Sequence, residues 1–222
     1  MLRTVATALG ALLCAAPALA EEYPRVELVY QHVPFDLSCE QWRNTKIEQS
    51  WKEEVESKIA AYQEFWNKEA PLLLEAVVSE VGKPFQRKEM LAVLTLCPIS
   101  SMSTPLVIGI GRFLDGPTQG NPRPVFLFSA ELFHELLHTY IRPFPPPNSK
   151  LMEKYKNEPI LVQTHLHLMA VMKQVYLKLG RSEQLKEIIA RDSAAPNPAY
   201  RRAWQIVNDI EGHQAFVAEL RR

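Results

Sequence analysis

The segment His134-Glu135-Leu136-Leu137-His138 carries two histidines four residues apart, with a glutamate directly after the first. On an α-helix, positions i and i+4 share a face, so both imidazoles can reach one metal ion. This is the H-E-x-x-H spacing of metal-assisted hydrolysis. In that chemistry zinc lowers the pKa of a bound water to about 7, and a carboxylate placed as Glu135 is takes the proton. The reaction implied is hydrolysis, with a peptide bond as the leading substrate. Three fixed letters in five residues also arise in unrelated helices, so the surroundings of the motif decide its meaning.

A third protein ligand is needed, because catalytic zinc holds three side chains and keeps one position open. Three residues downstream qualify, ranked Glu158, His165, Glu153. Glu158 lies 20 residues beyond His138 and follows Asn157. His165 returns to nearly the same helical face as Glu158, about 10.5 Å further along. It serves either as the ligand in place of Glu158 or as a hydrogen-bond donor to the negative charge of the transition state. Tyr140, Tyr155, Tyr176 and His213 are also able to donate, although packing is the plainer role for each. His167 faces away from Glu158 and His165 and reads as structural. Glu131, one turn before both His134 and Glu135, either orients an imidazole or is a first-turn acid favoured by the helix dipole.

Over residues 134–158 the chain resembles the gluzincin metallopeptidases, in the thermolysin-like pattern where a downstream Asn-Glu supplies the third zinc ligand. The resemblance implies His134, His138 and Glu158 as zinc ligands. It also implies Glu135 as general base and then proton donor to the leaving amine. Two features depart from the pattern: Pro159 directly follows Glu158, which puts that residue at a helix start or kink, and position 131 is a glutamate.

The elements that must position these residues are mostly helical. Between residues 39 and 67 the apolar positions Trp42, Ile47, Trp51, Val55, Ile59, Tyr62 and Phe65 recur at helical steps. Pro71 then restarts a helix that stops at Gly82. Residues 90–96 and 106–110 are short β-rich runs bounded by proline and glycine, and residues 125–128 read as a further strand. A substrate adding itself to a sheet edge would use one of the latter two. Residues 115–122 are dense in turn formers and read as an exposed loop. Ser129 is the expected N-cap of a motif helix over residues 130–141, which Arg142-Pro143 ends, with residues 143–147 a stiff connector or a rim to a cleft. Residues 149–179 are helical apart from Pro159, residues 182–191 form a shorter helix, and Asn197-Pro198 opens a terminal one running to Leu220. The class expected is α+β, mostly helical, with a small sheet packed against the motif helix and long helices at both ends.

Residues 1–20 read as a secretory signal: Arg3, an apolar run, then Ala18-Leu19-Ala20 before the expected cut. The run is too short to anchor the chain in a membrane, and Leu12 and Leu13 before Cys14 argue against lipidation. Residues 21–222 then form one domain, placed in a bacterial periplasm or secreted. Its two cysteines, Cys39 and Cys97, are a disulfide pair or two buried thiols. Loss of Arg3 leaves 24 basic against 25 acidic residues, a net charge of −1 without a basic stripe, and this excludes a nucleic-acid partner. The reading is an exported Zn2+-dependent peptidase acting on a peptide or protein. The alternative is an exported binding or assembly factor whose motif helix is metallopeptidase-like or coincidental.

Overall fold

The computed structural model describes residues 23–143 and 148–222; the expected signal segment and residues 144–147 of the proline-rich connector lie outside them. A four-stranded sheet covers one side of a helical body, so the α+β, mostly helical class holds. Its strands are β1 (Arg25–Tyr30), β2 (Glu89–Thr95), β3 (Met102–Ser103) and β4 (Leu106–Gly109), in the spatial order β1-β2-β4-β3. The first three in that order run parallel, with Leu28 opposite Ala92 and Leu94 opposite Ile108, and β3 turns back antiparallel on β4. Along β1 and β2 the pleat sends Val26, Leu28, Met90, Ala92 and Leu94 inward, while Glu27 and Leu91 face out. Strand β4 is interior and buried throughout, so residues 106–110 do not form the sheet edge expected of them; the edge strands are β1 and β3.

The parallel β1–β2 pair needs a long crossover, supplied by α1 (Leu37–Arg43) and α2 (Gln49–Val81). The single helix expected from residue 39 is broken at Asn44, which adopts a left-handed conformation. Conversely, Pro71 does not divide α2, which runs through it for 33 residues. An interior proline costs about 3 kcal/mol, and each buried Val or Leu returns about 1.5–3 kcal/mol. Leu73, Leu74 and Val77, all fully buried just beyond Pro71, outweigh it. Gly82 caps the helix at φ 78°, a conformation glycine adopts without strain, as expected.

The motif helix α4 spans Val125–Ile141 and is buried continuously from Leu127 to Leu137. Residues 125–128 are its first turn, not a strand, and the cap is Pro124 in place of Ser129. The β-propensity of Val125 and Phe126 yields here because a helix apolar on all sides gains more by full burial in a helical body. The short helix α3 (Asp115–Thr118) lies within the expected loop. It is followed by α5 (Lys150–Lys154), α6 (Ile160–Lys178), α7 (Ser182–Ser193), α8 (Pro198–Gln205) and α9 (His213–Leu220). The terminal helix is therefore two, separated by a widened π-type turn and by Gly212 at φ 79°. Helix α6 is the hub, contacting α2, α4, α7, α8 and α9. Among the described residues no helix is long and apolar enough to cross a membrane.

Cys39 and Cys97 are joined in a disulfide with Cα atoms 5.7 Å apart, which excludes the free-thiol alternative in this structure. Beside it lies Asp36, fully buried. One of its carboxylate oxygens accepts the Thr95 hydroxyl and the backbone N–H groups of Leu96 and Cys97, and the other accepts the Tyr30 hydroxyl at 2.7 Å.

Candidate metal centre

The α4–α6 contact brings three imidazoles together. His134 and His138 lie one turn apart on α4 with ring centroids 5.1 Å apart, and His165 on α6 completes the triangle at 5.1 and 4.7 Å. One ligand atom from each lies within 4.8 Å of the others, close enough for the three to hold a metal ion.

The hydrogen bonding of His165 fits that role. Its Nδ1 lies 2.7 Å from the Leu161 carbonyl of the preceding turn; the acceptor there assigns the proton to Nδ1. Nε2 is then left with its lone pair, buried, and with no hydrogen-bond partner among the described residues. A buried acceptor without a partner costs about 1–3 kcal/mol, and a ligand histidine held through its other nitrogen is the usual second-shell pattern of metal sites. Burial, and secondly the neighbouring imidazoles, hold His134 well below the ordinary histidine pKa and lower His138 to about 3; burial also lowers His165. All three are therefore neutral at pH 7, the form that binds metal.

Glu135 is 6% exposed and has no side-chain hydrogen bond among the described residues. Burial, and then the charge of Glu131 one turn away, push its carboxyl up to about 8 in the metal-free site. Glu131 orients no imidazole. It accepts from the Ser101 hydroxyl, whose oxygen in turn accepts the Gly109 N–H at 3.1 Å, and pairs with Arg112 at 3.5 Å. It thereby ties α4 to the loop and strand at the sheet edge.

Glu158 is not in the cluster, contrary to the implied gluzincin ligand set. Its carboxylate accepts two hydrogen bonds from Arg202, at 3.0 and 2.6 Å. Pro159 is the cause: it caps α6 from outside, so Glu158 ends up before the helix and His165 projects from its second turn. Glu153, the third candidate, is on the surface with Lys156. His167, two residues from His165, bonds Glu219 at 3.1 Å and is structural as expected. Tyr140 and Tyr155 donate to the Lys83 carbonyl and to Glu211, His213 bonds Gln174, and Tyr176 is buried against Phe133.

One aromatic of the terminal region sits at the centre. Tyr200 on α8 stacks edge-on to His165 at 4.8 Å, and with His134 and Glu135 it lines a cavity of about 380 Å³. The cavity is completed by Arg112, Arg123 and Arg191, from three different segments. No spacing relates these residues to the motif, so no sequence signal pointed to them.

No protein-family model, no curated protein and no solved structure matches the chain. The assignment of the centre therefore rests on its own chemistry.

Proposed function

We propose that the chain is an exported zinc-dependent hydrolase, a peptidase, with His134, His138 and His165 as the metal ligands and Glu135 as the proton carrier. The observation that carries this reading is the buried, unpartnered Nε2 of His165, placed beside the two histidines of the motif. Three neutral imidazoles suit zinc, which takes nitrogen ligands and in catalytic sites retains an open position. When bound there, zinc supplies Lewis acidity that activates water and polarises a carbonyl. Glu135, free of protein partners and facing the cavity, takes a proton from the attacking water and delivers it to the leaving amine. Tyr200 has no hydrogen-bond acceptor among the described residues and donates its hydroxyl to the charge developing on the carbonyl oxygen. This keeps the motif half of the gluzincin resemblance and substitutes His165 for Glu158. The buried disulfide supports an oxidising compartment, the periplasm in our reading.

Elemental analysis of the purified protein tests it. About one zinc per chain is expected, lost in His134→Ala and in His165→Ala, and retained in Glu135→Gln, which is hydrolytically silent. Protein that stays metal-free after incubation with zinc would end the proposal, and full zinc with no hydrolysis across a broad peptide library would leave a binding protein in its place.

A further inference from the structure

Three arginines line the cavity at the metal centre, and they differ in how they are held. Arg191 is spent: its Nε and one terminal nitrogen donate to Asp192 at 2.9 and 2.7 Å, and Asp192 also accepts the Trp204 indole N–H. Arg112 donates to the Ile99 carbonyl at 3.2 Å and pairs loosely with Glu131. Arg123 differs. Among the described residues its guanidinium has no hydrogen bond and no ion pair, although it lines the same cavity as Glu131, Glu135 and Asp192. Its backbone N–H donates to the Arg112 carbonyl at 3.0 Å, which keeps the two arginines side by side. Arg123 is solvent-exposed at the cavity, and partial desolvation of its guanidinium, then the charge of Arg112, disfavour its cationic form relative to an ordinary arginine.

Resting on the hydrolase reading above, we propose that the enzyme selects substrates bearing a carboxylate, which Arg123 receives within the cavity next to Glu135 and Tyr200. With Arg112 paired to Glu131 and Arg191 to Asp192, Arg123 is the guanidinium of the lining left without a carboxylate among the described residues. The planar fork of an arginine matches a carboxylate with two parallel hydrogen bonds. The carboxylate belongs either to a peptide's C-terminus or to an aspartate or glutamate side chain near the scissile bond.

The test uses the zinc-loaded protein and three hexapeptide pools: a C-terminal free acid with internal Gln, a C-terminal amide with internal Gln, and a C-terminal amide with internal Glu. Carboxylate-bearing pools should be cleaved with a kcat/KM roughly 10- to 100-fold higher, the range for one charge-assisted hydrogen-bonded contact. The acid–amide pair and the Glu–Gln pair separate the two sources. Arg123→Gln should abolish the preference through KM, and Arg123→Lys should restore part of it; thermal melts establish that both fold. Binding of the same pools to zinc-loaded Glu135→Gln, read by fluorescence anisotropy, should show the same order without turnover. Equal cleavage of all pools by wild type and Arg123→Gln overturns the carboxylate proposal while leaving the hydrolase intact. Carboxylate-dependent binding with no cleavage by the wild type supports the pocket and removes the hydrolase. Binding indifferent to carboxylate overturns the pocket whatever the turnover.

Discussion

Asp36 and Glu135 are both buried carboxylates, and the protein treats them in opposite ways. Asp36, beside the disulfide, has four donors from two segments and closes a structural joint between β1, the α1 region and the end of β2. Glu135 has none and opens on a cavity. The same contrast recurs between two histidines on α6. His167 has its Nε2 satisfied by Glu219, and His165 has its Nε2 left without a partner beside two more imidazoles. Because an unmet buried polar group costs stability, its persistence marks a place where the fold serves something other than itself.

The comparison is sharpest in stability. Asp36→Ala strands several buried donors and should cost about 3–5 kcal/mol, read from urea unfolding, enough to leave the protein marginal. Glu135→Gln should instead stabilise the chelator-treated protein, by about 1–3 kcal/mol at pH 8. A loss of stability in Glu135→Gln comparable to that in Asp36→Ala would erase the distinction.

The pH dependence of the metal-free protein follows from the same groups. Glu135 has a folded pKa raised to about 8, so its contribution is fully present below the unfolded carboxyl value near 4.3 and is lost as pH rises through 8. The stabilisation of Glu135→Gln over wild type should therefore grow between about pH 4.5 and 8. The three clustered histidines act in the other sense. Their folded values lie below the unfolded value near 6.5, so their contribution is present above that pH and is lost as pH falls toward about 3 for His138. Thermal melts in chelator from pH 4 to 9 should show both flanks, and saturating zinc should remove the acid flank until protons displace the metal.

Within α6, His165→Ala should abolish zinc binding; in the metal-free state it gives up its buried packing and the Nδ1 bond to Leu161, while the loss at Nε2 costs nothing because that atom has no partner among the described residues. His167→Ala should keep zinc and cost about 1–3 kcal/mol by removing one of the three groups that hold the buried Glu219 carboxylate, beside the Ser149 hydroxyl and the Leu151 N–H. Zinc titration and unfolding of the two variants would show an exchange of these phenotypes if the assignment were reversed.

The smallest effect is expected at Glu158. Its pair with Arg202 is partly exposed, so Glu158→Ala should cost about 1 kcal/mol or less in unfolding and leave zinc affinity at the wild-type value. A large drop in zinc affinity would return Glu158 to the ligand set.

Periodicity alone made the helical class, the sheet segments near residues 90 and 106, and the motif's two histidines legible, because each depends on residues within one or two turns of one another. It misplaced the boundaries where burial outweighs local preference: Pro71 inside α2, the β-prone start of α4, and the divided terminal helix. Glu158 and His165 were both legible as candidates, and choosing between them was not. The choice turns on which side of Pro159 the helix starts and on where α6 packs, and only the second of these brings His165 to α4.

What the sequence by itself determined is therefore the pair His134 and His138 with Glu135 beside them, since one helical turn places these three whatever surrounds them. The third imidazole, Tyr200, the arginine-lined cavity and the unmet hydrogen bonds were decided by tertiary structure alone. They join segments up to 88 residues apart, from Arg112 to Tyr200, whose meeting is set by the packing of α4, α6, α7 and α8 around a shared core and leaves no periodic trace along the chain.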